Sequence, residues 1–123
     1  MLRITDPKMS QTNEMMSLPS QEFFESLIKR ATNNGTFDPI VLIKFTATWC
    51  GPCKRIDMNV LLGLSSQIKW YECDLDQNEY TPGYCGVKTI PCFLAIVNGV
   101  PQPLFQSSDT MKVAEWIKGG FKQ

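Results

Sequence analysis

Apolar residues along this chain alternate between two spacings. Ile40-Val41-Leu42-Ile43-Lys44-Phe45 is a nearly continuous apolar run, the pattern of a central strand covered on both faces. Ile68 to Asp74 and Ile90 to Val97 read as two more strands, and Asn98-Gly99 after the latter is a strong hairpin signal. Pro101 and Pro103 would break a central ladder, so residues 102–106 are assigned to a sheet edge. Glu14 to Leu18 reads as a short edge strand. Helical spacing links Phe23, Phe24, Leu27, Ile28 and Ala31, with Ser20 as N-cap, Asn33-Asn34-Gly35 as the stop and Asp38-Pro39 as the turn into the next strand. Ile56, Val60, Leu61 and Leu64 predict one helix from Lys54 to Leu64, ended by Gly63 and Ser65-Ser66. Asp76 to Tyr80 reads as a short helix that Pro82-Gly83 interrupts. Asp109 caps a closing helix whose apolar face is Val113, Trp116 and Ile117.

The order β-α-β-α-β-α-β-β-α predicts an α/β fold with a central mixed sheet of four to five strands, flanked by about four helices on both faces. Residues 1–13 are polar and patternless and are assigned to a flexible leader, leaving 14–123 as a single domain. At 123 residues the chain is long enough for a core without staples.

Lys+Arg and Asp+Glu each number 12, so no charge footprint points to nucleic acid or an anionic membrane. No apolar stretch approaches a membrane span, and the N-terminus lacks a signal-peptide run. Histidine is absent, which excludes a histidine base, a Cys-His nucleophile and histidine-ligated metal. The five cysteines are an odd number in a chain without a secretory signal, which favours a reducing, cytoplasmic compartment.

The chemistry concentrates at Trp49-Cys50-Gly51-Pro52-Cys53-Lys54-Arg55. A strand leads into this segment and a helix leads away, so a thiol pair with two residues between its members sits at a helix N-terminus. Unpaired N–H groups there stabilise a thiolate. A zinc site would need four ligands, and Cys73, Cys85 and Cys92 are the only other thiols.

Three segments carry a resemblance to the thioredoxin family. They are Phe45 to Lys54 with its W-C-G-P-C core, Asp74-Leu75-Asp76-Gln77-Asn78, and Val87-Lys88-Thr89-Ile90-Pro91 followed by Phe93-Leu94 and Asn98-Gly99. The resemblance runs from about residue 14 to 120 and implies the thioredoxin fold. It implies a protein disulfide reductase working by dithiol–disulfide exchange. Cys50 is the nucleophile and Cys53 the more buried resolving thiol. Trp49, Gly51, Pro52, Ile90 and Pro91 are substrate-binding residues, with the Ile90–Pro91 bond cis. The resemblance further implies disulfide-containing protein substrates, a thioredoxin-reductase-like flavoprotein driven by NADPH as partner and no bound cofactor; a monomer is expected.

Two departures from the family pattern stand out. Lys44 occupies the position of a buried Asp thought to help deprotonate the resolving cysteine; Glu72 on the neighbouring strand is a candidate to pair with Lys44 or to serve as the acid/base. Met58 replaces a mid-helix proline, which implies a less kinked helix. Cys92, directly after Pro91, is a candidate regulatory thiol or a small buried hydrophobe. Cys73 reads as core and Cys85 as partly exposed. Two alternatives stay open: a non-catalytic scaffold or assembly subunit with this fold, and a cysteine-based metal or iron–sulfur carrier.

Overall fold

The run at 40–46 is the centre of the molecule. A computed structural model describes residues 14–29 and 40–122. The expected leader 1–13, the helix stop at Asn33-Asn34-Gly35, Ala31 and the Asp38-Pro39 turn lie outside the described residues.

In chain order the elements are β1 (Met15–Ser17), α1 (Gln21–Lys29), β2 (Ile40–Thr46), α2 (Gly51–Lys54), α3 (Met58–Leu62), β3 (Ile68–Asp74), α4 (Tyr80–Cys85), β4 (Cys92–Val97), β5 (Val100–Pro101), β6 (Phe105–Gln106) and α5 (Thr110–Lys118). The sheet order is β1-β3-β2-β4, with β5 and β6 both on the outer edge of β4. β1, β3 and β2 run parallel, and β4 pairs antiparallel to β2. The sheet is therefore mixed, as its element order predicts.

Side chains alternate across β2 and split the core in two. On one face Leu42, Trp70, Phe93 and Ala95 pack against Leu61 of α3 and Val113, Trp116 and Ile117 of α5. On the other, Val41, Ile43, Phe45, Tyr71 and Leu94 pack against Phe24 and Leu27 of α1. Both faces of β2 are covered, which explains an apolar run interrupted only by Lys44 before its last residue, Thr46.

The hairpin forms where Asn98 and Gly99 take φ of 51° and 81°, a left-handed pair suited to a two-residue turn. The edge strand expected at 102–106 proves discontinuous. Val100–Pro101 and Phe105–Gln106 pair with β4, while 102–104 between them are not strand. Two prolines in alternation remove the donors that would have continued it. Trp116 closes the break, stacking on Phe105 at 4.8 Å between ring centroids.

Two helix assignments require correction. The single helix expected over 54–64 is two short helices, because Asp57 is extended (φ −89°, ψ 95°) and its carboxylate accepts from Asn59 N at 3.1 Å to start α3 afresh. Thr110 Oγ1 holds the break from outside, accepting from Asp57 N at 2.9 Å. The less kinked helix implied by Met58 is thus overturned: the chain is interrupted just before that residue. The helix expected at 76–80 instead begins at Tyr80 and runs through Pro82 and Gly83. Pro82 falls in its first turn, where the missing N–H has no intrahelical partner to lose.

A buried polar chain ties α1 to α4. Thr81, fully buried, donates from Oγ1 to Gln21 Oε1 at 2.8 Å and accepts from Asn78 Nδ2 at 2.9 Å; its N donates to Asn78 Oδ1 at 3.2 Å. Thr81→Val keeps the shape and strands two polar groups, so it is expected to cost about 1–3 kcal/mol. Urea unfolding checks this as a lowered midpoint at unchanged slope.

Candidate active site

β2 ends at Thr46 on the sheet's central axis, and the chain turns at once, Cys50 N donating to Ala47 O at 3.1 Å. This delivers Cys50 to the N-cap of α2 with extended backbone (φ −88°, ψ 104°). Its sulfur accepts a hydrogen bond from Cys53 N at 3.1 Å. Cys50 and Cys53 are joined in a disulfide, with Cα atoms 5.3 Å apart. Because α2 is a single turn, what the Cys50 sulfur meets is a local N–H rather than a long helix dipole. Both sulfur residues are buried, Cys53 (1 % exposed) slightly more than Cys50 (4 %).

Gly51 and Pro52 are exposed between them. Pro52 occupies the first helical positions, where its φ suits the turn. A Cβ at Gly51 would meet open space, so glycine here leaves the surface bare beside Cys50 rather than relieving a clash. The Ile90–Pro91 peptide is cis. Pro91 is fully buried, and half-buried Ile90 packs on Ala47, Cys50 and Cys53. The structure thus brings together Cys50, Cys53 and the Ile90–Pro91 loop.

Trp49 points outward, 66 % exposed, which removes it from the core. Its Nε1 donates to Asp76 Oδ2 at 3.0 Å. Asp76 lies in the Asp74 to Asn78 segment that carries the family resemblance, but its pairing with Trp49 is visible only in the fold.

Behind Cys53 lies a polar cavity of about 360 Å³ lined by Lys44, Glu72, Asp74, Thr46 and Lys54 among others. Lys44 is buried, and its Nζ donates to the Cys53 carbonyl oxygen at 3.2 Å. Register places it directly beside Glu72 on β3. Burial lowers the Lys44 pKa below that of a free lysine, and the Glu72 carboxylate opposes the shift. A lysine reaching out to solvent is therefore not what is found.

The other thiols lie on the opposite face of the sheet. Cys73 and Cys92 are buried on either side of Phe45, with which both are in register, and Cys85 packs against the same cluster. Burial, followed by the Cys85 thiol and the Asp74 carboxylate, pushes Cys73 up to about 12. Burial, then Cys92, raises Cys85 to about 11; burial raises Cys92 to about 11 against the Phe93 backbone N–H. Cys92, 3 % exposed at the start of β4 and paired on both sides, thus stays protonated at neutral pH and shielded from oxidants. Among the described residues no group of three or more Cys, His, Asp or Glu is placed to hold a metal ion. Nor is any described helix long and apolar enough to cross a membrane.

A dithiol at the head of a helix, with a cis-proline loop against it at the end of a central strand, defines a thiol–disulfide oxidoreductase site. The thioredoxin sequence profile matches residues 14–119. The chain belongs to the thioredoxin family. It is 32 % identical over 97 residues to thioredoxin of Gallus gallus, covering 77 % of this chain and 88 % of that one. It is 31 % identical over 106 residues to the chloroplastic thioredoxin M2 of Arabidopsis thaliana, covering 78 % of this chain. The match spans 56 % of that chloroplastic relative, and 41 % of the M-type one from Brassica napus. The solved structure of Fasciola hepatica thioredoxin superposes with a TM-score of 0.73 at 26 % identity, covering 85 % of this chain and 98 % of that one.

Proposed function

We propose that the chain reduces protein disulfides through the Cys50–Cys53 pair. The carrying observation is the disulfide between these two residues, with the Cys50 sulfur accepting the Cys53 N–H at the helix cap. In the reduced state that N–H favours the Cys50 thiolate. The thiolate attacks one sulfur of the substrate disulfide, forming a mixed disulfide and releasing the other sulfur as a thiolate that takes up a proton. Cys53 then loses its proton and attacks the Cys50 sulfur. The second substrate thiol leaves, and the Cys50–Cys53 disulfide remains. Exposed Gly51 and Pro52, with Ile90 against the sulfur pair, supply the surface that receives an extended substrate segment. A flavoprotein reductase of the thioredoxin-reductase type returns two electrons. Three unbridged cysteines support a reducing, cytoplasm-like compartment. The domain is 14–123 and works as a monomer.

Cys53→Ser tests the assignment. It is expected to leave substrates covalently held on Cys50, recoverable as mixed disulfides that dithiothreitol releases. Failure of the wild type to accelerate insulin-disulfide reduction over dithiothreitol alone would instead leave a scaffold with this fold.

The resolving step requires somewhere for the Cys53 proton to go. Glu72 fills that role across the polar cavity, while Lys44, its neighbour in register, fixes the Cys53 carbonyl. Glu72→Gln is expected to slow resolution by about a hundredfold at neutral pH, within the range of general-base effects. Rapid-quench measurement of mixed-disulfide decay against pH checks this. An unaltered profile would remove Glu72 from the mechanism.

A further inference from the structure

We infer that the groove beside Trp49 reads a basic side chain, so that preferred substrates carry a lysine or arginine close to the attacked disulfide; this rests on the reductase reading above. The groove encloses about 360 Å³ between the active-site segment and α4. Its walls include Trp49, Leu75, Pro82 and Val87, and its charged lining consists of Asp76 and Glu79 alone. Exposed Lys88 is one residue beyond Val87 in sequence and is not part of that lining.

The chemistry of these walls selects a cation. Trp49 stands one residue before Cys50, so a segment attacked at Cys50 passes its ring. The single polar atom of that ring is already bonded to Asp76. This bond fixes the ring and leaves only its π faces to offer a ligand. A π face carries partial negative charge, and beside two carboxylates it disfavours an acidic side chain and attracts an ammonium or guanidinium group. Glu79 is exposed and sits at the N-cap of α4, yet its side chain makes no cap hydrogen bond. Its carboxylate is therefore available at the rim. Apolar Leu75, Pro82 and Val87 suit the methylene stem of the same long side chain.

Paired peptides test this. Two synthetic peptides, each closed by one disulfide, differ only in lysine or glutamate flanking the cysteines. With dithiothreitol as the regenerating reductant, the basic peptide is expected to show about tenfold higher kcat/KM, the combined size of an exposed cation–π contact and an ion pair. The difference is expected in KM, to shrink with added salt, and to reverse with Glu79→Lys. Equal kcat/KM for the two peptides, or a preference that Glu79→Lys leaves unmoved, overturns the inference. NMR titration of the closed peptides into a Cys50→Ser/Cys53→Ser protein reads the same preference without turnover. Preference in binding without turnover in the wild type would count against the reductase reading and for the groove; turnover with equal binding would do the reverse.

Discussion

Serine at position 50 is expected to remove all acceleration of insulin-disulfide reduction, leaving the rate of dithiothreitol alone. The attacking species is a thiolate, and a hydroxyl supplies none near neutrality. Cys53 cannot substitute, being 1 % exposed and covered by the turn it closes. Fold is not at issue, since serine is a preferred N-cap residue and its oxygen can accept the Cys53 N–H that the sulfur accepts now. The two single variants should therefore differ in kind. Cys50→Ser gives no reaction, whereas Cys53→Ser gives one equivalent of released substrate thiol and stops. A companion measurement is the pH dependence of iodoacetamide alkylation in the reduced wild type. Cys50 is expected to reach half-maximal rate at a lower pH than free cysteine measured alongside it. Full acceleration by Cys50→Ser, or alkylation of Cys50 no faster than free cysteine, would contradict the exchange mechanism.

The reactive pair was readable from sequence because its requirements are local: two thiols at fixed spacing where a strand ends and a helix begins. The same holds for Asn98-Gly99 and for Asp109, whose carboxylate accepts from Met111 N and Lys112 N to start α5. Failure came where two local signals compete. Ile56 and Val60 keep helical spacing across the Asp57 break, yet Val60 is 41 % exposed, because the cap at Asp57 resets the helical phase. Pro82 looks like an interruption until the helix start is known, after which it lies in a permitted turn. Partners across the fold were least legible. Lys44 in an apolar run can snorkel or stay buried, and only the register beside Glu72 and the bond to the Cys53 carbonyl decide which. Asp76 likewise gains its place only from the Trp49 ring 27 residues before it.

Alkaline pH is expected to unfold the protein steeply, and the sign follows from which state holds the protons. In the unfolded chain the three unbridged thiols ionise near their ordinary 9.0, whereas the folded protein holds them to about 11 at Cys85 and Cys92 and about 12 at Cys73. Their contribution is fully present below pH 9 and is lost as pH rises, because the native state then binds more protons than the unfolded one. Each thiol contributes a slope of about 1.4 kcal/mol per pH unit, so three remove about 4 kcal/mol per unit. Lys44 acts the other way. Its folded pKa lies below 10.5, so between that lowered value and 10.5 the unfolded chain binds the extra proton and stability rises with pH. Where that interval overlaps the range of the thiols, one lysine offsets one thiol and the net loss is about 3 kcal/mol per unit; elsewhere between about pH 9 and 11 the thiols act alone. Urea unfolding of the oxidised protein under argon from pH 7 to 11 measures it. Cys92→Ala is expected to reduce the slope by about 1.4 kcal/mol per unit, the share of one thiol, while Lys44→Met steepens it wherever the lysine proton had offset a thiol. A stability flat across pH 9 to 11 would mean that the three thiols ionise in the folded protein as readily as in the unfolded chain, against their packing around Phe45.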